Sequence, residues 1–408
     1  MRNALISIFI LSSSSHLIAG ETGKTNSFSL ENFVANKAKY SPGYTLENKM
    51  ADAWGIAIRP KGAGGHFWVT AKDVSYEYVG DVRAAPEKTL HSLSQDKLKT
   101  VALPVGGDDR HATGNVFSDS KESFVITQAF AGGEPITAPA KFLFASDGGI
   151  ISAWTERKQP DGTFDRSGAA LSVIDQSKNG AQYFGLAINS SYNRLYAANF
   201  GAQPGIQVFD GAFRPVSARF ENPFDPNKNG KVDAGEFTPY NVQALTTPAG
   251  EHHVFVTYAK TKLCSKAGIK KGDCVKGDIQ RGEEDTSKPG YGRLAEFTEE
   301  GKLVSVWPDS GKLSAPWGIT YAPPNFGALS CALLVGNFGD GTIAAFDPAT
   351  HAFIDVMRNN KRKPLIVEKV WALLFGNGES LGDANALYFA AGPNEEKDGV
   401  FGAIRFTP

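Results

Sequence analysis

The sequence predicts an all-β chain folded as a six-bladed β-propeller closed by an N-terminal strand. Three observations predict it. A three-strand phrase recurs along the chain, and 44 glycines accompany an aromatic content of 11%. An alternating segment near the N-terminus also fits the one strand that the last repeat lacks. Glycine combined with Phe, Trp and Tyr favours sheets joined by tight turns over helices.

Each phrase opens on a large residue beside a small one. The clearest openings are Trp54-Gly55-Ile56-Ala57, Phe184-Gly185-Leu186-Ala187, Trp317-Gly318-Ile319-Thr320 and Trp371-Ala372-Leu373-Leu374. A second strand follows in each, as in Phe67-Trp68-Val69, Leu195-Tyr196-Ala197-Ala198, Leu333-Leu334-Val335-Gly336 and Leu387-Tyr388-Phe389-Ala390. After a glycine turn, a third ends on an aromatic residue, as in Ile206 to Asp210, Ile343 to Asp347 and Phe401 to Phe406. Weaker copies begin at Gly114-Asn115-Val116-Phe117 and Tyr240-Asn241-Val242, making six units of about 60 residues, the size of a four-stranded blade with insertions. A four-stranded meander cannot bury both faces alone, so the blades must stack about an axis. Crowding at that axis asks for glycine or alanine beside each inner aromatic. The last unit shows only three strands, and Phe28 to Val34 is placed to supply its fourth, leaving few open edges. A pair of β-sandwiches is the competing architecture, but gives no reason for regularly spaced Trp-Gly starts.

The expected organisation is a signal peptide over 1–20, an N-terminal segment over 21–27 and a single propeller domain over 28–408. Arg2, the apolar run Ala4 to Leu11 and the small residues before Glu21 form the secretory pattern, and the run is too short to span a bilayer. The chain is therefore expected in secreted or periplasmic form, soluble and monomeric, with no membrane span. A formal net charge of −1 offers no field for nucleic acid. In an oxidising compartment Cys264 and Cys274, close together in a lysine-rich loop, could form a disulfide. Cys331, in the apolar run Ser330 to Val335, reads as a small buried strand residue.

Residues 225–236 carry the one stretch whose chemistry can be named from residues alone. Asp225, Asn227, Asn229 and Asp233 stand at positions 1, 3, 5 and 9 of a twelve-residue loop, Gly230 at 6 and Glu236 at 12. That is the ligand spacing of an EF-hand-type loop for Ca2+, with Lys231 at position 7 binding through its carbonyl. Three carboxylates and two asparagine amides suit the weaker, extracellular class of site, roughly 10⁻⁴–10⁻³ M. The same residues could instead serve an Asn/Gly-rich turn. A sensor needs paired helices that open, and none is visible, so the expected role is a structural staple.

No nucleophile elbow and no phosphate-cradling glycine loop occurs. His252 and His253 are neighbours in a strand and must face opposite ways. Glu283-Glu284-Asp285 reads as part of a solvated loop. Function in a propeller is expected at the channel mouth bearing the connections into the inner strands. That face should gather Asp147, Asn199, Asn337, Asp340 and Asn394, the loop 225–236 and the cysteine-containing insertion 260–292. The same Asn and Asp residues are also ordinary turn formers.

The strings Ala315-Pro316-Trp317-Gly318-Ile319, Leu334 to Gly341, Trp371 to Gly378 and Tyr388 to Asn394 resemble a family of exported bacterial propeller proteins of uncharacterised activity. Asp147 to Trp154 and Tyr196 to Gly201 are similar to it as well. Some members carry a C-terminal PEP-type sorting signal, which this chain lacks. The resemblance implies a propeller and export, and no activity. The leading expectation is a calcium-binding interaction module for a protein, glycan or surface ligand. The alternatives are a lactonase-like, metal-dependent hydrolase using Asn115, Asn199, Asn241 and Asp340 at the channel, and a structural matrix protein.

Overall fold

A computed structural model describes residues 25–229, 232–233, 235–263 and 279–408. The expected signal peptide, Cys264, Cys274, Gly230 and Lys231 lie outside the described residues. Among the described residues there are strands and four short 3-10 turns, and no helix is long and apolar enough to cross a membrane.

Six sheets, antiparallel except where Thr45–Leu46 runs parallel to Phe28–Ala35, form six blades. Blade 1 begins with Ala53–Ala57, blade 2 with Ala112–Phe117 and blade 3 with Tyr183–Ile188. Blades 4, 5 and 6 begin with Phe237–Thr246, Pro316–Tyr321 and Val370–Phe375. Each of these inner strands packs on the next in that order, and Val370–Phe375 packs back on Ala53–Ala57, so the ring is complete. In blade 6 the strand Val400–Phe406 is followed across the sheet by Phe28–Ala35, with Phe28 opposite Phe406 and a bulge between Asn32 and Val34. The first and last strands among the described residues thus share one blade.

Four of the six middle strands are buried at every position, Phe67–Ala71, Phe142–Ser146, Leu333–Asn337 and Ala386–Ala391, and the other two are exposed only toward their ends. Both faces of a middle strand meet a neighbouring blade, so continuous apolar runs replace the alternation of a half-solvated sheet. Aromatic rings fill the seams between blades: Trp68 of blade 1 stacks on Phe142 of blade 2 at 4.1 Å. Near the axis the strands approach so closely that a side chain has no room. A Cβ on Gly185 would lie 2.8 Å from the Val242 nitrogen of the next blade, and one on Gly318 would lie 2.9 Å from the Leu373 nitrogen. The glycine beside Trp54, Phe184 and Trp317 is therefore a condition of closing the ring, whereas in blade 4 Asn241 takes the place next to Tyr240.

Cys331 departs from expectation. The strand begins at Leu333, and Cys331 stands before it as an exposed free cysteine with φ 61°. The preceding 3-10 turn Gly327–Leu329 consumes the residues that an extended run would need.

Candidate binding site at the loop-bearing mouth of the channel

The connections into the inner strands, and the turns after the middle strands, lie on one face of the ring. Just below it the channel is closed by aromatic side chains. Trp54 and Trp371 stack at 3.8 Å, Trp317 meets Trp371 at 6.0 Å, and Phe338 stacks on Trp371 at 4.0 Å. Phe184, Phe200 and Tyr240 complete the plug, with Phe184 5.1 Å from Phe200 and 5.6 Å from Tyr240. All seven rings are buried. Five come from the large residue that opens an inner strand, so the feature that crowds the axis also seals it.

Ionisable groups stand on the loop side of this plug. Asp52 is fully buried, and its two oxygens accept bonds from Trp371 Nε1 at 2.9 Å and His111 Nδ1 at 2.8 Å. His111 precedes the inner strand of blade 2, and its backbone N–H donates to Asp147 Oδ1 at 2.6 Å. Across the mouth Glu396 rides on three successive left-handed residues, Asn394 (φ 61°), Glu395 (54°) and Glu396 (62°). The Glu396 N–H closes that turn on the Gly392 carbonyl at 3.0 Å. A left-handed turn of non-glycine residues costs roughly 1–2 kcal/mol per residue, and such strain concentrates at functional sites. Glu284 ends the strand Ile279–Glu284 beside Tyr240, and Lys369 Nζ rests 4.0 Å from the centre of the Phe338 ring.

Burial and mutual repulsion push these acids up. Burial, then the charges of Asp52 and Glu284, raise Glu396 to about 9, despite the pull of Lys369. Burial raises Glu284 to about 7 and Asp147 to about 6, the latter partly offset by the His111 N–H. Burial pulls His111 down, but its hydrogen bond to Asp52 and the charges of Asp52 and Asp147 more than offset this, and it ends above its ordinary value. With Glu396 keeping its proton near neutrality and His111 biased toward its charged form by Asp52, the site can exchange protons when a charged group arrives.

The turn residues named from sequence reach this face but serve the backbone. Asn199 Oδ1 accepts the N–H groups of Gln182 and Gly201, each at 3.0 Å, and Asn337 Oδ1 accepts that of Ser314 at 3.0 Å. Asp340 caps its own turn through Thr342, and the Asn394 amide donates to Asp398 at 3.1 Å. The four residues of the hydrolase alternative do not converge. Asn115 and Asn241 lie in inner strands and donate to the Trp68 and Trp317 carbonyls at 2.8 and 2.7 Å, whereas Asn199 and Asp340 stay in their turns. His252 and His253 face opposite ways, one toward Thr246 and the other onto Glu296 at 2.6 Å.

In the loop 225–236, polar groups of Asn227, Asn229, Asp233 and Glu236 meet one another. Asn227 Nδ2 lies 3.3 Å from Asp233 Oδ2 and 3.2 Å from Glu236 Oε1, and Asn229 Nδ2 lies 2.8 Å from Asp233 Oδ2. Asp225 Oδ1 accepts the Asn227 N–H at 3.0 Å, and Glu236 is buried. Among the described residues no group of three or more His, Cys, Asp or Glu side chains is arranged to hold a metal ion.

Sequence reasoning missed Asp52, His111, Lys369 and Glu396, and placed Glu284 in a solvated loop where the structure has the end of a strand. One signal was available. Asp52, Ala315 and Lys369 each stand two residues before an opening tryptophan and share a left-handed backbone, φ 50°, 43° and 54°. Aligning the units at that position picks out two charged residues beside the axis.

Comparison with known proteins corrects the expected bacterial kinship. No protein-family profile matches the chain. Its curated relatives include three proteins of Acanthamoeba polyphaga mimivirus. Uncharacterized protein R648 is 24% identical over 87% of this chain and 75% of its own length. Uncharacterized protein R640 is 24% identical over 60% of this chain, and L690 is 30% identical over 29%. The match spans only 38% and 30% of those two relatives. Short strings such as Asn-Phe-Gly occur three times in this chain and are built from ordinary turn formers, so they carry little information about kinship. Among solved structures, the soluble aldose sugar dehydrogenase of Escherichia coli covers 93% of the chain at 11% identity and a TM-score of 0.42. A protein of unknown function from Bacteroides thetaiotaomicron also covers 93%, at 9% identity and a TM-score of 0.47. This chain is a β-propeller of six blades, similar along most of its length to a mimivirus protein.

Proposed function

We propose that this chain is an exported propeller that binds a protein partner at its loop-bearing face by receiving a basic group among Asp52, Glu284 and Glu396. The observation that carries the reading is the aromatic plug. With the axis sealed by Trp54, Trp317, Trp371 and their neighbours, a ligand on this side meets the acidic mouth and goes no deeper. Glu396, and in part Glu284, hold protons that an incoming ammonium or guanidinium would displace, because a cation stabilises the carboxylates that burial and neighbouring charge disfavour. Oligolysine is a direct probe. Its binding, followed by calorimetry at pH 7.5 in buffers of different ionisation enthalpy, releases protons, and Glu396→Gln diminishes both release and affinity. Absence of binding, or binding without proton release in the unaltered protein, would overturn the reading.

Calcium belongs to the same proposal as a staple on the rim. Asp225, Asn227, Asn229, Asp233 and Glu236 supply side-chain oxygens once the two amides turn, and Lys231 would add its carbonyl. The proximity of Asn227, Asn229, Asp233 and Glu236 supports this donor set. Calcium is expected to raise the melting temperature, EDTA to lower it and Glu236→Gln to abolish the difference. An identical melt in calcium and EDTA would remove the ion from the account. Turnover of a lactone by the calcium-loaded protein would favour the hydrolase instead.

A further inference from the structure

The opposite face of the ring holds a second cavity, unrelated to the acidic mouth and separated from it by the aromatic plug. Beyond the plug the inner strands diverge around a space of about 410 Å³. Ile56, Ile58, Val116, Ile188 and Leu374 make its wall, drawn from blades 1, 2, 3 and 6. The volume falls in the roughly 300–1,000 Å³ range of small-ligand pockets, and polar side chains make up about half of the lining beside that aliphatic wall.

One polar side chain in the lining has capacity for a ligand. Asn115 donates from Nδ2 to the Trp68 carbonyl, and its Oδ1 is sealed against Gly55 rather than open to the space. Gln243, from the inner strand of blade 4, lines the space with an amide that can accept from a donating group. Tyr192, its ring 6.4 Å from that of Phe117, is also in the lining, while the remaining titratable groups, Glu299 and His252, are occupied. Glu299 accepts the Ser190 N–H and hydroxyl at 2.6 and 2.9 Å, and His252 pairs with Thr246 at 3.1 Å. No lysine or arginine lines the cavity, so an anionic head would find a carboxylate and no counter-charge.

We infer that this cavity binds a small, neutral amphiphile, an aliphatic body against the isoleucine wall with a hydroxyl head donating to the Gln243 amide. Charge separates it from a fatty acid of the same length: moving a carboxylate into this wall without a cation costs more than the aliphatic contact returns. The body gains about 0.8 kcal/mol per buried methylene, and the hydroxyl selects orientation.

The test is displacement of the neutral fluorophore N-phenyl-1-naphthylamine from the full chain by 1-octanol and by octanoate. Saturable displacement by 1-octanol, with octanoate at least tenfold weaker, is the expected result. Ala244→Trp and Ile188→Phe each fill the space and abolish displacement while the circular-dichroism melt is kept, and Gln243→Leu weakens 1-octanol several-fold. Equal displacement by octanoate, or binding that survives both filling substitutions in folded protein, would overturn the inference. Glu396→Gln leaves 1-octanol binding unchanged, so failure of the loop-face reading is distinguishable from failure of this one.

Discussion

Replacing Glu396 by Gln tests the acidic mouth through stability. The folded chain keeps the Glu396 proton to about pH 9, against an ordinary value of 4.5. Between those limits the native state binds more protons than the unfolded chain, so stability falls as pH rises. The contribution is fully present below pH 4.5 and is lost on passing through about pH 9. At about 1.4 kcal/mol per pH unit, that interval sets a ceiling of about 6 kcal/mol. Glu396 retains partial solvent access and titrates together with its neighbours, so the expected loss is about 2–3 kcal/mol. Urea unfolding of both proteins at pH 5, 7 and 9 reads the effect directly. The unaltered protein should lose about 2–3 kcal/mol more than Glu396→Gln between pH 5 and 9, with unchanged m-values, and the variant should be the more stable at pH 9. Comparing the two cancels the background charge of the chain. Parallel pH profiles would refute the claim that burial and the charges of Asp52 and Glu284 hold that proton in place.

Trp371→Phe keeps most of the plug but deletes the 2.9 Å bond to the buried Asp52 carboxylate, and should cost about 1.5–3 kcal/mol, the worth of a hydrogen bond to a charged group. Most of that cost should vanish when the same change is made in Asp52→Asn, and a double-mutant cycle with a coupling below about 0.5 kcal/mol would assign the loss to packing instead. Gly185→Val drives a side chain into the Val242 backbone and should destabilise by about 3 kcal/mol or fail to fold, whereas Gly168→Ala, with nothing within 4 Å of its Cβ, should change denaturant stability little.

The repeat pattern was legible because it is local. Trp54-Gly55, Phe184-Gly185 and Trp317-Gly318 announce inner strands by side-chain size, and the glycine follows from the close approach of the next blade. The pairing of Phe28–Ala35 with Val400–Phe406 was legible for a related reason, an alternating segment matching a missing strand. Cys331 was misread because an apolar run does not mark where a strand starts; the turn before it decided that. The acidic mouth was illegible for a deeper reason. Asp52 and Glu396 are 344 positions apart in the sequence numbering, and nothing near either residue tells of the other.

The sequence by itself determined the number of blades, their inner strands and the need for small residues at the axis, because strand period and steric crowding are written in consecutive side chains. Tertiary structure alone decided which ionisable groups share the mouth, that seven rings seal the channel beneath them, and that a separate cavity with an aliphatic wall lies on the far side. Burial and charge proximity are properties of space: a carboxyl holds its proton to about pH 9 only when folding removes its water and brings other carboxyls against it.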